Sequence, residues 1–254
     1  MLRDAAAAHS LATWLSAEGW GDSRMWLVSQ AGGAECEIRS GTAKALSVSS
    51  TTASAPVAAA FEALGGDGWV RVAGRSTDAF VHDGQITKSP VRALTLAALA
   101  PRRGECLWDL GAGSGSVSIE WCLAGGRAVC VERKAERVAH IAQNARRYAV
   151  NLQIVHGDSR MCLHDLEPRP QAVFVGGGFD KTLFEDLRAM LHEPWRLVVS
   201  AVTLETQALL MQLHCAHGGQ LLHLQYSEAE PLGSMPAWKP ARPLLQWMWS
   251  AETS

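Results

Sequence analysis

Between Leu107 and Gly115 the chain reads Leu-Trp-Asp-Leu-Gly-Ala-Gly-Ser-Gly, an acid at Asp109 followed by glycines at Gly111, Gly113 and Gly115. Glycines at alternate positions permit a tight turn and let the backbone approach a ligand that any β-carbon would push away. Two more acids follow: Glu132, closing the apolar run Val129-Cys130-Val131, and Asp158, after Gly157. A carboxylate about twenty residues beyond such a turn suits the two hydroxyls of a ribose, and an Asp after the next strand can accept from an adenine amino group. Each signal alone has a plainer reading as a structural turn, a solvated strand end or a helix cap. Their order, each after an apolar run, points to a nucleoside seat.

The dinucleotide fingerprint has its third glycine one place later, where this chain has Ser116, so no pyrophosphate has to be seated on the helix terminus. Asp-x-Gly-x-Gly-x-Gly is instead the spacing of methyltransferases, and an acid before the loop suits the cationic amino acid end of S-adenosyl-L-methionine. The expected cofactor contacts are Asp109, Gly111, Ala112, Gly113, Ser114, Gly115, Glu132, Arg133, Asp158, Ser159 and Gly176, with S-adenosyl-L-homocysteine as product. No metal site is expected, because the six cysteines are widely spaced and none forms a Cys-x-x-Cys pair.

Such residues need a scaffold. From Thr87 onward short β-rich runs alternate with helical ones: a helix from Ser89-Pro90 to Pro101, then Cys106–Leu110, Ser116–Leu123, Ala128–Val131, Ala135–Tyr148, Leu152–Val155, a short helix near Met161, Ala172–Val175, Leu183–Leu191, Arg196–Ser200, Glu205–His214, Gln220–Gln225 and Leu244–Trp249. Strict alternation with strands apolar throughout predicts an α/β fold, a doubly wound, mostly parallel seven-stranded sheet of Rossmann-like kind. Residues 4–46 read as a helix from Ala5 to Glu18 and two short strands, Met25–Ser29 and Glu35–Ile38, a piece too small to build its own core. Residues 47–78 read as a linker and short connecting elements, with a helix to Leu64 and a strand from Trp69 to Val72.

A formal net charge of −2 provides no global field for a nucleic-acid backbone, so no nucleic-acid partner is expected. Neither a cleavable apolar leader nor an uncharged span is evident, which predicts a cytoplasmic chain without a membrane partner.

The acceptor side is read from cations and open backbone. Lys88 and Arg92 stand at i and i+4 and can face one ligand, and Lys239 and Arg242 can close from the tail. Gly176-Gly177-Gly178, after Ala172-Val-Phe-Val175, occupies the place where base amino-methyltransferases carry an Asn- or Asp-Pro-Pro-aromatic run, and leaves room for a bulky acceptor. His82 is a candidate proton donor, and Trp238 or Trp247 could lie against a flat ligand or pack in the core.

Residues 79–249 resemble the C-terminal, CbiT-type half of the precorrin-6Y C5,15-methyltransferase (decarboxylating) family. The carrying segments are Asp78 to Lys88 with Val91-Arg92-Ala93, Trp108 to Gly115 with Ser118-Ile-Glu-Trp121, Phe174 to Gly178, Ala201-Val-Thr-Leu-Glu205, and Trp238-Lys-Pro-Ala-Arg-Pro243 with Gln246-Trp247. Residues 4–46 resemble the last part of the CbiE-type half, through Gly21-Asp-Ser-Arg-Met25, Gly32-Gly-Ala-Glu35 and Ser40-Gly-Thr-Ala43. The resemblance implies C15 methylation of a precorrin, a tetrapyrrole, with decarboxylation of the ring C acetate in cobalamin biosynthesis. It further implies reaction-side roles for His82, Thr87, Lys88 and Arg92, substrate contacts from Lys88, Arg92, Gly177, Gly178, Thr203, Lys239 and Arg242, and a homo-oligomer, commonly a tetramer. Competing readings are a methyltransferase of RNA adenine or protein carboxylate, a donor-binding scaffold without catalysis, and a dehydrogenase.

Overall fold

A strand apolar on both faces must be covered on both sides, and the alternation from Thr87 onward meets that demand with helices. A computed structural model describes residues 1–49, 53–66, 72–192 and 194–251. The chain divides into two compact units, Met1–Trp69 and Val70–Ser254.

The first unit contains α1 (Ala6–Ala17), β1 (Arg24–Ser29), β2 (Glu37–Thr42), α2 (Ala43–Ser47) and β3 (Val57–Glu62). Its sheet runs β2-β1-β3, antiparallel throughout. Ala8, Ala12 and Leu15 recur at helical spacing on α1 and are buried with Met25, Leu27, Ala43 and Val57. This segment therefore does have a small core, contrary to the expectation from its size, because the chain up to β3 contributes to it. Val57-Ala-Ala-Ala-Phe-Glu62, expected as a helix within the connecting stretch, is a strand: pairing with β1 along its whole length overrides the helical preference of its alanines. The strand expected from Trp69 to Val72 falls almost wholly on residues 67–71, outside the described residues.

The second unit runs α3 (Ser89–Leu99), β4 (Cys106–Leu110), α4 (Ser116–Leu123), β5 (Arg127–Glu132), α5 (Ala135–Arg147), β6 (Leu152–His156), α6 (Ser159–Cys162), β7 (Ala172–Val175), α7 (Lys181–Met190), β8 (Arg196–Ala201), α8 (Leu204–His217), β9 (Gln220–Leu224), β10 (Ser227–Leu232), β11 (Met235–Pro240) and β12 (Leu244–Ser250). The sheet order is β6-β5-β4-β7-β8-β12-β9. β4 to β8 pair in parallel, and β12 is antiparallel to both of its neighbours. Chain order reverses at β4, with β5 and β6 on one side and β7 and β8 on the other, which opens a crevice at the carboxyl ends of β4 and β7.

Alternate residues of β4 serve opposite faces. Trp108 and Leu110 pack with Val129, Val131, Trp195 and Trp247, while Leu107 packs with Leu96, Leu99, Trp121 and Phe174. Lys88, not Ser89, is the N-cap of α3, and Ala100 ends the helix in the left-handed region with φ 49°. Pro101 follows directly. The β10–β11 hairpin was not foreseen. Its prolines at 231, 236 and 240 disguise it, being tolerated only because these strands pair with each other and not within the main sheet.

Candidate functional site

The turn from β4 into α4 is held by its own backbone and by β5. The N–H groups of Gly111 and Ala112 both donate to the Val131 carbonyl, at 2.9 and 3.0 Å. Gly111, Gly113 and Gly115 have φ of +77°, +60° and +73°, the left-handed region that glycine enters without strain. A β-carbon on Gly113 would stand 3.3 Å from the Gln85 carbonyl oxygen, and one on Gly115 would stand 3.0 Å from the Ile141 side chain. The second glycine lets the segment around Gln85 lie close to the loop; the third lets α5 pack against it.

At the carboxyl end of β5 the Glu132 carboxylate accepts the Gly113 N–H on Oε2 and the Lys134 N–H on Oε1, each at 2.9 Å. Each oxygen retains capacity for a second hydrogen bond. Asp158 caps α6 by accepting the Arg160 N–H on Oδ1, at 3.1 Å. Glu132, Asp158, Gly111, Ala112, Gly113, Arg133, Ser159 and Gly176 all line one cleft of about 960 Å³, near the upper end of the roughly 300–1,000 Å³ usual for small-molecule sites. A glycine cradle, a strand-end carboxylate with spare acceptor capacity and a second acid beyond it fit a nucleoside methyl donor.

Asp109 sits apart from these. It is buried, does not line the cleft, and accepts the Ser118 hydroxyl on Oδ2 at 2.7 Å. Its Oδ1 is buried without a hydrogen-bond partner. Burial pushes the carboxyl up to about 6, opposed by the Ser118 hydrogen bonds and reinforced by the Glu132 charge. The donor contact expected of Asp109 is therefore not one the cleft lining brings together with Glu132 and Asp158. Ser114 and Gly115 also lie off the cleft, since the chain there turns inward to begin α4; the Ser114 side chain is buried and its carbonyl is taken by Asn144.

The same cleft continues to Thr87, Lys88, Gly177, Gly178, Lys239 and Arg242. Lys239 is paired with Glu230 at 2.7 Å. The expectation that Arg92 shares a ligand with Lys88 is corrected. Arg92 is fully buried, donates from Nε to Glu120 at 2.8 Å, and gives its terminal nitrogens to the carbonyls of Thr87 and Arg75. Two residues at i and i+4 share a helix face in general, but Lys88 is a cap outside the helix and Arg92 turns inward over the Phe80 ring, 4.8 Å from its centroid. His82 does not line the cleft either; its Nδ1 accepts the Gly84 N–H at 2.9 Å and shapes the turn. Thr203 caps α8 through the Thr206 N–H and is likewise off the cleft, whereas its neighbour Val202 lines it. Trp247 is core, and Trp238 is exposed on the hairpin.

Sequence reasoning passed over Gln85, Tyr226, Glu228 and Glu230, which line the cleft. The hairpin acids carried a signal only once β10 and β11 were known to pair. Asn144, a fully buried polar residue between the buried Ile141 and Ala145 of an Arg-rich helix, also went unremarked.

The precorrin methyltransferase domain family matches residues 78–251. A precorrin-6Y C(5,15)-methyltransferase [decarboxylating] from a Sinorhizobium species is 39% identical over 259 residues, covering 97% of this chain and 61% of that protein. A cobalt-precorrin-6B C(15)-methyltransferase (decarboxylating) from Salmonella typhimurium is 33% identical over 168 residues, covering 63% of this chain and 85% of that protein. The crystal structure of the C-terminal domain of precorrin-6Y C5,15-methyltransferase from Rhodobacter capsulatus superposes with a TM-score of 0.69 at 54% identity, covering 72% of this chain and all of that one. The chain spans about three-fifths of the length of the longer curated relatives it matches.

Proposed function

The chain belongs to the precorrin methyltransferase family, and from that premise we propose that its second unit methylates a precorrin at C15, with decarboxylation of the ring C acetate, using S-adenosyl-L-methionine as donor. The observation that carries this reading is a single cleft lined by Glu132, Asp158 and the glycine turn together with Lys88, Gly177, Gly178 and Arg242. A donor and an acceptor can share it.

The bound donor would supply an electrophilic methyl group. On the protein side, Glu132 accepts from ribose hydroxyls and Asp158 from the adenine amino group. An enamine-like meso carbon is already nucleophilic, so the acceptor needs alignment more than a strong base. Lys88 and Arg242 hold peripheral carboxylates through charge-assisted hydrogen bonds, and Gly177 and Gly178, at either of which an added β-carbon would meet only open space, leave room for the macrocycle. Loss of carbon dioxide from the acetate leaves a methyl group after one proton is taken up.

In the same reading Met1–Trp69 corresponds to the final portion of a CbiE-type domain, supported by alignments to the longer relatives that reach 96–97% of this chain. A homo-oligomer is part of the proposal; light scattering tests it. Among the described residues no helix is long and apolar enough to cross a membrane. Mass spectrometry of the product from a precorrin-6 substrate and the donor tests the activity. One added methyl with one carbon dioxide lost is expected, an unchanged substrate would overturn it, and two added methyls would assign C5 chemistry as well.

A further inference from the structure

One amide side chain ties the glycine turn to the segment that leads into Thr87 and Lys88. Asn144 on α5 is fully buried. Its Oδ1 accepts the Val81 N–H at 2.8 Å, and its Nδ2 donates to the Val81 carbonyl at 2.9 Å and to the Ser114 carbonyl, inside the glycine turn, at 3.0 Å. From Val81 the chain runs over that turn, with the Gln85 carbonyl facing Gly113, and then supplies Thr87 and Lys88 to the cleft. The far end of this cover is held by Arg92 through the Thr87 carbonyl, and its middle by the Asp83–Arg137 ion pair at 2.8 Å.

We infer that Asn144 is a positioning residue that couples the donor turn to the Val81–Lys88 cover, so that seating the donor sets the placement of Thr87 and Lys88 on the acceptor side. The inference rests on the donor seat proposed above. A hydrophobic side chain cannot replace it, because the amide supplies two donors and an acceptor to the backbone groups of Val81 and Ser114. Neither Val81 nor His82 lines the cleft, so whatever reaches them from a bound donor must travel through the protein.

The test is hydrogen exchange on the whole chain with and without saturating S-adenosyl-L-homocysteine, beside calorimetry, for the unaltered protein and for Asn144→Ala. In the unaltered protein S-adenosyl-L-homocysteine should slow exchange of the Val81 amide at least threefold. In Asn144→Ala its Kd should rise about tenfold, and at saturation the Val81 amide should no longer respond. A residue that merely supports the fold would lower the melting temperature and leave that response in place, which would overturn the inference. Should the variant fail to fold, the unaltered protein decides alone: binding of S-adenosyl-L-homocysteine with no change at Val81 overturns the coupling, and absence of binding overturns the donor seat and the coupling with it.

Discussion

The Glu132 carboxylate accepts the Gly113 N–H at 2.9 Å, so the acid that closes β5 and the glycine at the crest of the β4–α4 turn form a single unit. The acid shapes the loop beside which it would receive ribose hydroxyls.

Substituting Glu132 by Ala removes both the loop bond and the hydroxyl acceptor. S-adenosyl-L-homocysteine should bind about 1–3 kcal/mol more weakly by calorimetry, the usual range for a lost buried or charge-assisted hydrogen bond. Glu132→Gln, which keeps one acceptor oxygen, should fall between. Equal affinity in all three proteins would remove the site assignment.

Gly113→Val places a branched side chain at φ +60° with its β-carbon 3.3 Å from the Gln85 carbonyl. Backbone strain of about 1–3 kcal/mol and displacement of the cover should abolish detectable S-adenosyl-L-homocysteine binding in a protein that still gives a cooperative melt. Retained binding would show that the Gln85 segment does not close over the turn.

Glu120 receives the Arg92 guanidinium and the N–H groups of Gly74 and Arg75. Removing one partner of a buried pair leaves the other charge uncompensated, so Glu120→Ala should destabilise the fold by about 3–5 kcal/mol in chemical denaturation. Lys88→Ala, at an exposed cap position, should leave stability within about 0.5 kcal/mol and raise KM for the acceptor instead. A large stability loss at Lys88, or none at Glu120, would reverse the structural and reaction-side roles given to the two positions.

Burial pushes the Asp109 carboxyl up to about 6 in the folded chain, above its ordinary value of 3.8. The folded state therefore binds the proton more tightly than the unfolded state, and stability falls as pH rises through that interval, with the full penalty present above about pH 6. Asp109→Asn removes the penalty and can still accept from Ser118. It should be more stable than the unaltered protein at pH 7.5, by on the order of 2–3 kcal/mol, with the advantage fading by pH 4. Urea titrations at both pH values test this, and a pH-independent difference would count against it.

A deletion of residues 1–50 strands β3 without β1, its pairing partner, and should give aggregated protein. Deletion of residues 1–69 follows the boundary between the units and should leave a folded chain that binds S-adenosyl-L-homocysteine, as measured by size exclusion and calorimetry. The opposite pattern would place the boundary near residue 46.

Local pattern was enough for the parallel strands and the helices between them, because each apolar run is covered on both faces and its period is readable residue by residue. β4, α4 and β7 fall where their sequences end in glycine or begin after it, and the glycine turn and Glu132 were legible because a ligand-approaching backbone leaves a compositional trace. Direction of side chains was not legible. Arg92 and Lys88 have identical credentials as cations one turn apart, yet the Glu120 carboxylate from a different helix draws Arg92 into the core, while Lys88 remains at the cap. Asp109 follows the strand's alternation to the inside, and Asn144 gains meaning only from Val81 and Ser114, distant in sequence and adjacent in space. Hydrophobic periodicity is a property of neighbours along the chain and so fixes the scaffold; pairing of buried polar groups depends on which segments the scaffold brings together, and that is decided only when the chain is folded.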